Sequence, residues 1–311
     1  MKIVIVGPGA MGCLFGGFLA RAGEEVALLD HRPERARQLS KTGLQVETPS
    51  GGFKVPIKAT ADAEEIGEAD LIFICVKAFQ TLAAIKRAAP CLGNKTIVLT
   101  LQNGLANVTR LAEALVNFER IIGGTTGYGA ILLETGHVMH TGTGDTIIGS
   151  MDFAPSASNL QTVKSLLDKA GIATTITADL TGALWGKLVL NCAINPLAAL
   201  TRLKNGELLK EPALVDLLER VAEEAAAIAT ANGLSLPYPS AAARAKEVCS
   251  RTAENINSML ADVLRGSPTE IDEINGAVVG AASALGLRAP LNEALVALVK
   301  GLERSDIKKS I

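Results

Sequence analysis

Aromatic residues and histidine are scarce in this chain of 311 residues: Phe, Trp and Tyr together make up 3%, and there are three histidines. So little aromatic surface argues against a stacking platform for single-stranded nucleic acid. Nor is there a basic excess. Lys and Arg number 30 against 32 Asp and Glu, a net charge of −2, which argues against a surface built to hold a polyanion. The five cysteines (Cys13, Cys75, Cys91, Cys192, Cys249) are scattered and never spaced C-x-x-C, so neither a disulfide framework nor a zinc ribbon is expected. His137 and His140 lie close together but have no third ligand nearby, and no metal site is expected. The apolar opening, residues 2–6, is too short for a signal peptide and runs into a glycine loop. No uncharged run reaches the roughly 20 residues that span a bilayer. What is present is 48% hydrophobic and 20% charged residues, enough for a large core. The expectation is a soluble cytoplasmic α/β protein of two domains, since domains run to about 100–200 residues.

Strand and helix signals alternate through the first half. Apolar runs at 2–6, 25–29, 70–76 and 96–101 read as strands covered on both faces. Helical segments at 10–22, 33–42, 78–89 and 106–115 separate them, with an excursion hairpin at 45–59 turning at Ser50-Gly51-Gly52. Short strands are expected at 121–126, 130–134, 137–140 and 146–148, then a helix at 158–169 and a closing segment at 172–177. Such alternation predicts a doubly wound, Rossmann-like parallel sheet over 1–175. Beyond it strand signals vanish. Helices are expected at 180–193, 213–231, 240–250, 271–285 and 291–303, giving an all-helical domain over 176–311.

Gly7-Pro8-Gly9-Ala10-Met11-Gly12 is a G-x-G-x-x-G loop that follows the first strand and opens the first helix. The first glycine permits a tight turn, the second lets a pyrophosphate approach the backbone, and the third lets helix and strand pack closely. The helix start adds amide donors. At the end of the second strand Asp30 suits a ribose diol, whereas Arg32 or Arg35 suits a 2′-phosphate; the residues alone leave the two open. Lys77 and Asn103 end two further strands, where ligands of open α/β sheets sit. In the helical half Lys187, Asn191 and Asn195 fall at i, i+4 and i+8 on an otherwise apolar helix. A polar stripe there must face water, a cleft or other polar groups, and its lysine is a candidate acid with a lowered pKa. Thr269-Glu270 could instead simply open a helix.

Together these segments resemble the ketopantoate reductase (2-dehydropantoate 2-reductase) family over essentially the whole chain. The motifs are GPGAMG at 7–12, VKAFQ at 76–80, QNG at 102–104, GHVMHTGTG at 136–144, LWGKLVLNCAINPLAAL at 184–200, NGEL at 205–208 and TEIDEING at 269–276. The resemblance implies a Rossmann domain and a helical domain with the active site between them. It implies hydride transfer to the C2 ketone of 2-dehydropantoate, a small-molecule 2-oxo acid, giving pantoate for pantothenate and coenzyme A biosynthesis. By that resemblance Lys187 is the general acid and Glu270 the acid at the cofactor–substrate junction. Asn191, Asn195 and Asn205 line the substrate pocket, Asn255 and Ser258 hold the substrate, and Lys77, Asn103 and Ala130 touch the cofactor, Asn103 the substrate as well. The family generally prefers NADPH. Asp30 would repel a 2′-phosphate, Arg32 would offset it, and NADH is the open alternative. Nucleic acid and membrane are not expected partners, and a homo-oligomer is compatible with the sequence. The competing readings are a related two-domain dehydrogenase for another 2-oxo or hydroxy acid, and a dinucleotide-binding redox sensor without turnover.

Overall fold

Continuous apolar runs make the central strands, because a strand covered on both faces needs no polar side. The computed structural model describes residues 1–115, 120–151 and 157–305. Its strands are β1 (Lys2–Val6), β2 (Glu25–Leu29), β3 (Leu44–Thr48), β4 (Gly51–Val55), β5 (Lys58–Thr60), β6 (Leu71–Ile74), β7 (Ile97–Thr100), β8 (Ile121–Thr126), β9 (Gly129–Glu134), β10 (His137–Gly142), β11 (Thr146–Gly149) and β12 (Thr174–Ile176). Eight of them form one sheet in the order β12-β11-β8-β7-β6-β1-β2-β5. β6 and β7 are buried along their whole length. β1 pairs in parallel with β2 on one side and β6 on the other, Val6 standing opposite Leu29 and Ile74. The chain therefore leaves β1 in one direction and later fills the other side, a topological switch point. The helix Ala10–Arg21 follows directly, its buried Leu14, Phe15 and Leu19 joining the core formed by Ile3, Ile5, Leu28 and Phe73.

Two features differ from the expectation. The sheet is not wholly parallel, since β11 runs antiparallel to β8. The hairpin β3–β4, which turns at Pro49-Ser50, does not stand alone. β3 pairs in parallel with β10, giving a second sheet in the order β4-β3-β10-β9.

The chain divides into two compact units, Met1–Gln102 with Ala106–Leu180, and Asn103–Leu105 with Thr181–Ile311. In the second, the helix Leu180–Thr201 brings Trp185, Leu188, Val189 and Cys192 to a core shared with the helices Pro212–Ala231, Ala241–Arg251, Asn275–Ala284 and Pro290–Arg304. By length and composition Leu180–Thr201 could cross a membrane, but 72% of its most apolar stretch is buried in the protein. It continues past the expected end at 193, through Pro196. The helix Ser258–Leu264, with no counterpart in the sequence reading, is capped by Asn257, which accepts from the Leu260 amide at 3.0 Å.

Candidate active site

The three loop glycines are needed for different reasons. Gly7 has a left-handed φ of +93°, and a Cβ there would lie 2.4 Å from the Val76 side chain. A Cβ on Gly12 would lie 2.2 Å from the Gly7 carbonyl oxygen, so the protein's own packing demands both. Gly9 is different. Its φ of −80° suits any residue, and a Cβ would meet nothing within 4 Å. Gly9 caps Ala10–Arg21 without a side chain, and no acid lies in the first turn. The amides of Ala10, Met11 and Gly12 thus lack intrahelical acceptors. Open space in front of a glycine, with donors behind it, fits a dinucleotide pyrophosphate.

At the end of β2 the Asp30 side chain is fully buried. Arg35 grips it through two nitrogens, Nη2 to Oδ1 at 2.7 Å and Nε to Oδ2. Burial alone would raise the Asp30 pKa, but the Arg35 guanidinium, aided by the Arg32 amide, holds it below the usual range. The expected division of labour is corrected here. Arg35 offsets Asp30, while Arg32 gives only its backbone N–H to Asp30 (3.1 Å) and turns its exposed side chain to His31 (3.3 Å). The cause is local: Arg35 lies in the first turn of Pro33–Thr42, facing back to the strand end.

Lys77 is half-buried just beyond β6. Its loop is held by a residue to which the sequence reading gave no role, Gln102. The Gln102 amide donates to the Val76 carbonyl at 2.7 Å and to the Thr81 hydroxyl at 3.0 Å, and accepts from Thr100 at 2.8 Å. A glutamine directly after a buried strand was the available signal. Ala130 lies on β9 of the second sheet, opposite His140.

In the helical unit Lys187 and Asn191 are half-buried, and Asn195 is 5% exposed. Among the described residues neither Asn191 nor Asn195 has a side-chain hydrogen-bond partner. Burial pushes the Lys187 ammonium down to about 8, against the opposing pull of the Glu270 carboxylate. Glu270 is buried and accepts from Asn103 Nδ2 at 3.2 Å. It does not open a helix. Asn275–Ala284 begins five residues later, and Glu270 lies in a single turn closed by the Ile274 amide on its carbonyl at 3.0 Å.

A second group gathers around Asn205. Its Nδ2 donates to Thr252 Oγ1 at 2.8 Å, its Oδ1 accepts from Asn257 at 3.0 Å, and its backbone N–H donates to the Asn255 carbonyl at 3.1 Å. Buried Asn205 thus braces the segment carrying Asn255 and the exposed Ser258.

Residues 3–152 match the family described as ketopantoate reductase PanE/ApbA, and residues 179–303 match its C-terminal family. A 2-dehydropantoate 2-reductase of Halobacterium salinarum is 37% identical over 98% of this chain and 99% of its own length. A PanE/ApbA family ketopantoate reductase of Ralstonia eutropha superposes with a TM-score of 0.88 at 34% identity, over 99% of this chain and all of that one. D-mandelate dehydrogenase with NADH and anilino(oxo)acetate superposes with a TM-score of 0.91 at 26% identity, over 99% of this chain and all of that one. With matches along nearly its whole length, the chain belongs to the ketopantoate reductase family.

Proposed function

We propose that this protein is a 2-dehydropantoate 2-reductase, reducing the C2 ketone of 2-dehydropantoate to pantoate on the route to pantothenate and coenzyme A. The observation that carries the reading is Lys187, an ammonium with a pKa lowered to about 8 on a face whose two asparagines have no partner among the described residues. When bound, the nicotinamide dinucleotide supplies hydride. Lys187 stabilises the negative charge growing on the ketone oxygen and gives it a proton. Asn191 and Asn195 orient the substrate, and Asn255 and Ser258 offer neutral donors to its carboxylate. Asn205 acts behind them, holding the Asn255 carbonyl and Asn257. Glu270 accepts from Asn103, and its carboxylate is the acceptor assigned to a substrate or ribose hydroxyl. Residues Gly7 to Gly12 hold the pyrophosphate, and Lys77, Asn103 and Ala130 line the remainder of the dinucleotide.

The cofactor reading is NADPH. The Asp30 carboxylate is engaged by Arg35, so its charge is compensated, and the exposed Arg32 is available to a 2′-phosphate. The likeness to an NADH-bound D-mandelate dehydrogenase favours a second reading, reduction of an aryl 2-oxo acid with NADH. Oxidation of NADPH and NADH, each with 2-dehydropantoate, a simple branched 2-oxo acid and an aryl 2-oxo acid, separates the two. Highest kcat/KM for NADPH with 2-dehydropantoate is expected. A preference for the aryl acid with NADH refutes the first reading. Dinucleotide binding without oxidation under any 2-oxo acid leaves a sensor.

A further inference from the structure

The helix Leu180–Thr201 runs unbroken through Pro196. A proline inside a helix removes an N–H, and the carbonyl four residues earlier loses its donor. Here that carbonyl belongs to Cys192, five residues beyond Lys187 and between Asn191 and Asn195 in the chain. It is hydrogen-bonded all the same, by Asn275 Nδ2 at 3.0 Å.

The Asn275 amide is oriented by a chain of contacts. Its Nδ2 also donates to Asn292 Oδ1 at 2.9 Å, and Asn292 Nδ2 donates to Glu224 Oε1 at 2.8 Å. The Glu224 carboxylate further accepts from the backbone N–H groups of Leu291 at 3.1 Å and Asn292 at 2.9 Å, at the start of Pro290–Arg304. A carboxylate only accepts, so Asn292 must turn its nitrogen to Glu224 and its oxygen to Asn275. Asn275 must then present nitrogen, and its two hydrogens serve Asn292 and Cys192. Both asparagines are fully buried, and Asn275 Oδ1 is left without a partner. Such an orphaned oxygen is costly, so the site is organised around the two donors.

We infer that Asn275 is a positioning residue: it replaces the hydrogen bond that Pro196 takes from Cys192, and so fixes the local geometry of the helix that carries Lys187, Asn191 and Asn195. This rests on the catalytic reading of Lys187. The test is Asn275→Ala, Pro196→Ala and the double variant, measured for kcat, dinucleotide Kd and thermal unfolding. Asn275→Ala is expected to lower kcat by about ten- to a hundredfold, the scale of a misplacement of about 1 Å, with dinucleotide Kd near the wild-type value. Pro196→Ala returns an N–H to Cys192 and should restore most of that kcat in the double variant. Absence of rescue, or parallel loss of kcat and dinucleotide affinity, overturns the inference. If Asn275→Ala is insoluble, a folded and active double variant supports the pairing and an insoluble one overturns it. If the wild-type protein turns over no 2-dehydropantoate, the functional reading fails by itself. The thermal unfolding cycle then decides the pairing, non-additivity supporting it and additivity overturning it.

Discussion

Gly9→Ala should separate binding from folding. The residue lies at φ −80° with nothing within 4 Å of a new Cβ, so the fold has room for alanine. Two small effects on stability oppose each other. Alanine is a poorer helix cap than glycine, a cost of up to about 1 kcal/mol. It also narrows the unfolded ensemble, a gain of about 0.4–1 kcal/mol. The net effect should stay within about 0.5 kcal/mol, or roughly 2 °C in Tm for a unit of this size. A dinucleotide bound as proposed should be affected differently, because the methyl group would stand in the path of its pyrophosphate toward the amides of residues 10–12. Losing one charge-assisted hydrogen bond costs roughly 1.5–3 kcal/mol, about ten- to a hundredfold in Kd. Gly12→Ala should behave in the opposite way. Its Cβ would sit 2.2 Å from a backbone oxygen, and such overpacking destabilises by about 1–3 kcal/mol. Thermal unfolding beside fluorescence titration with NADPH reads both quantities. A Gly9→Ala protein that binds dinucleotide like the wild type, or that unfolds as readily as Gly12→Ala, would refute the reasoning.

Lys187→Ala should lower kcat by about 10²–10⁴-fold while leaving dinucleotide affinity intact; near-normal turnover would remove Lys187 from the mechanism. In the proposed mechanism Lys187 gives up a proton, so its acid form would be the active one and reduction should slow above pH about 8. Its proton is held less tightly in the folded state than in the unfolded state, where the pKa is near 10.5, so its contribution to stability rises across that same window as activity falls; pH–rate and pH–Tm curves test the opposition. Glu270→Ala should cut kcat/KM by roughly ten- to a hundredfold, more for 2-dehydropantoate than for its analogue lacking the hydroxyl; an equal cut would assign Glu270 to the dinucleotide. Because the Glu270 carboxylate raises the Lys187 pKa, the same variant should move the alkaline limb to lower pH. Arg35→Ala uncovers the buried Asp30 charge and should weaken NADPH more than NADH; equal effects on the two Kd values would show that this corner does not read the 2′-phosphate.

The central sheet is legible in the sequence because β1, β6 and β7 are covered on both faces, which leaves uninterrupted apolar runs. The second sheet is not. β3 and β10 pair in parallel across some ninety positions, Gln45 with His137, and nothing in either segment names its partner. The end of the helix at Thr201 was hidden for a similar reason. Proline predicts a break, and the donor that rescues Cys192 comes from Asn275, 83 residues away. At the β2 corner the composition announces a charged site but not which arginine faces the carboxylate, since that depends on where Pro33–Thr42 begins its first turn.

The asparagines show what distinguishes a legible site residue from a structural one. The sequence reading places Asn191, Asn195 and Asn205 in one pocket, and residue type alone gives no reason to separate them. Their partners do. Asn205 donates to Thr252 and accepts from Asn257, and Asn275 spends both its hydrogens inside the protein; both have partners within the fold. Asn191 and Asn195 have no such partner among the described residues, although Asn195 is 95% buried. Gly9 obeys the same logic in negative form, being a glycine that neither backbone angle nor packing requires. Neither the Asn191 nor the Asn195 amide is sealed away, since the one buried side-chain polar atom without a partner among the described residues is Asn275 Oδ1; both remain open to a ligand. On the proposed reading they share a helix face with a lysine whose pKa is lowered to about 8, and a carboxylated ketone would bring acceptors for both asparagines and the ammonium.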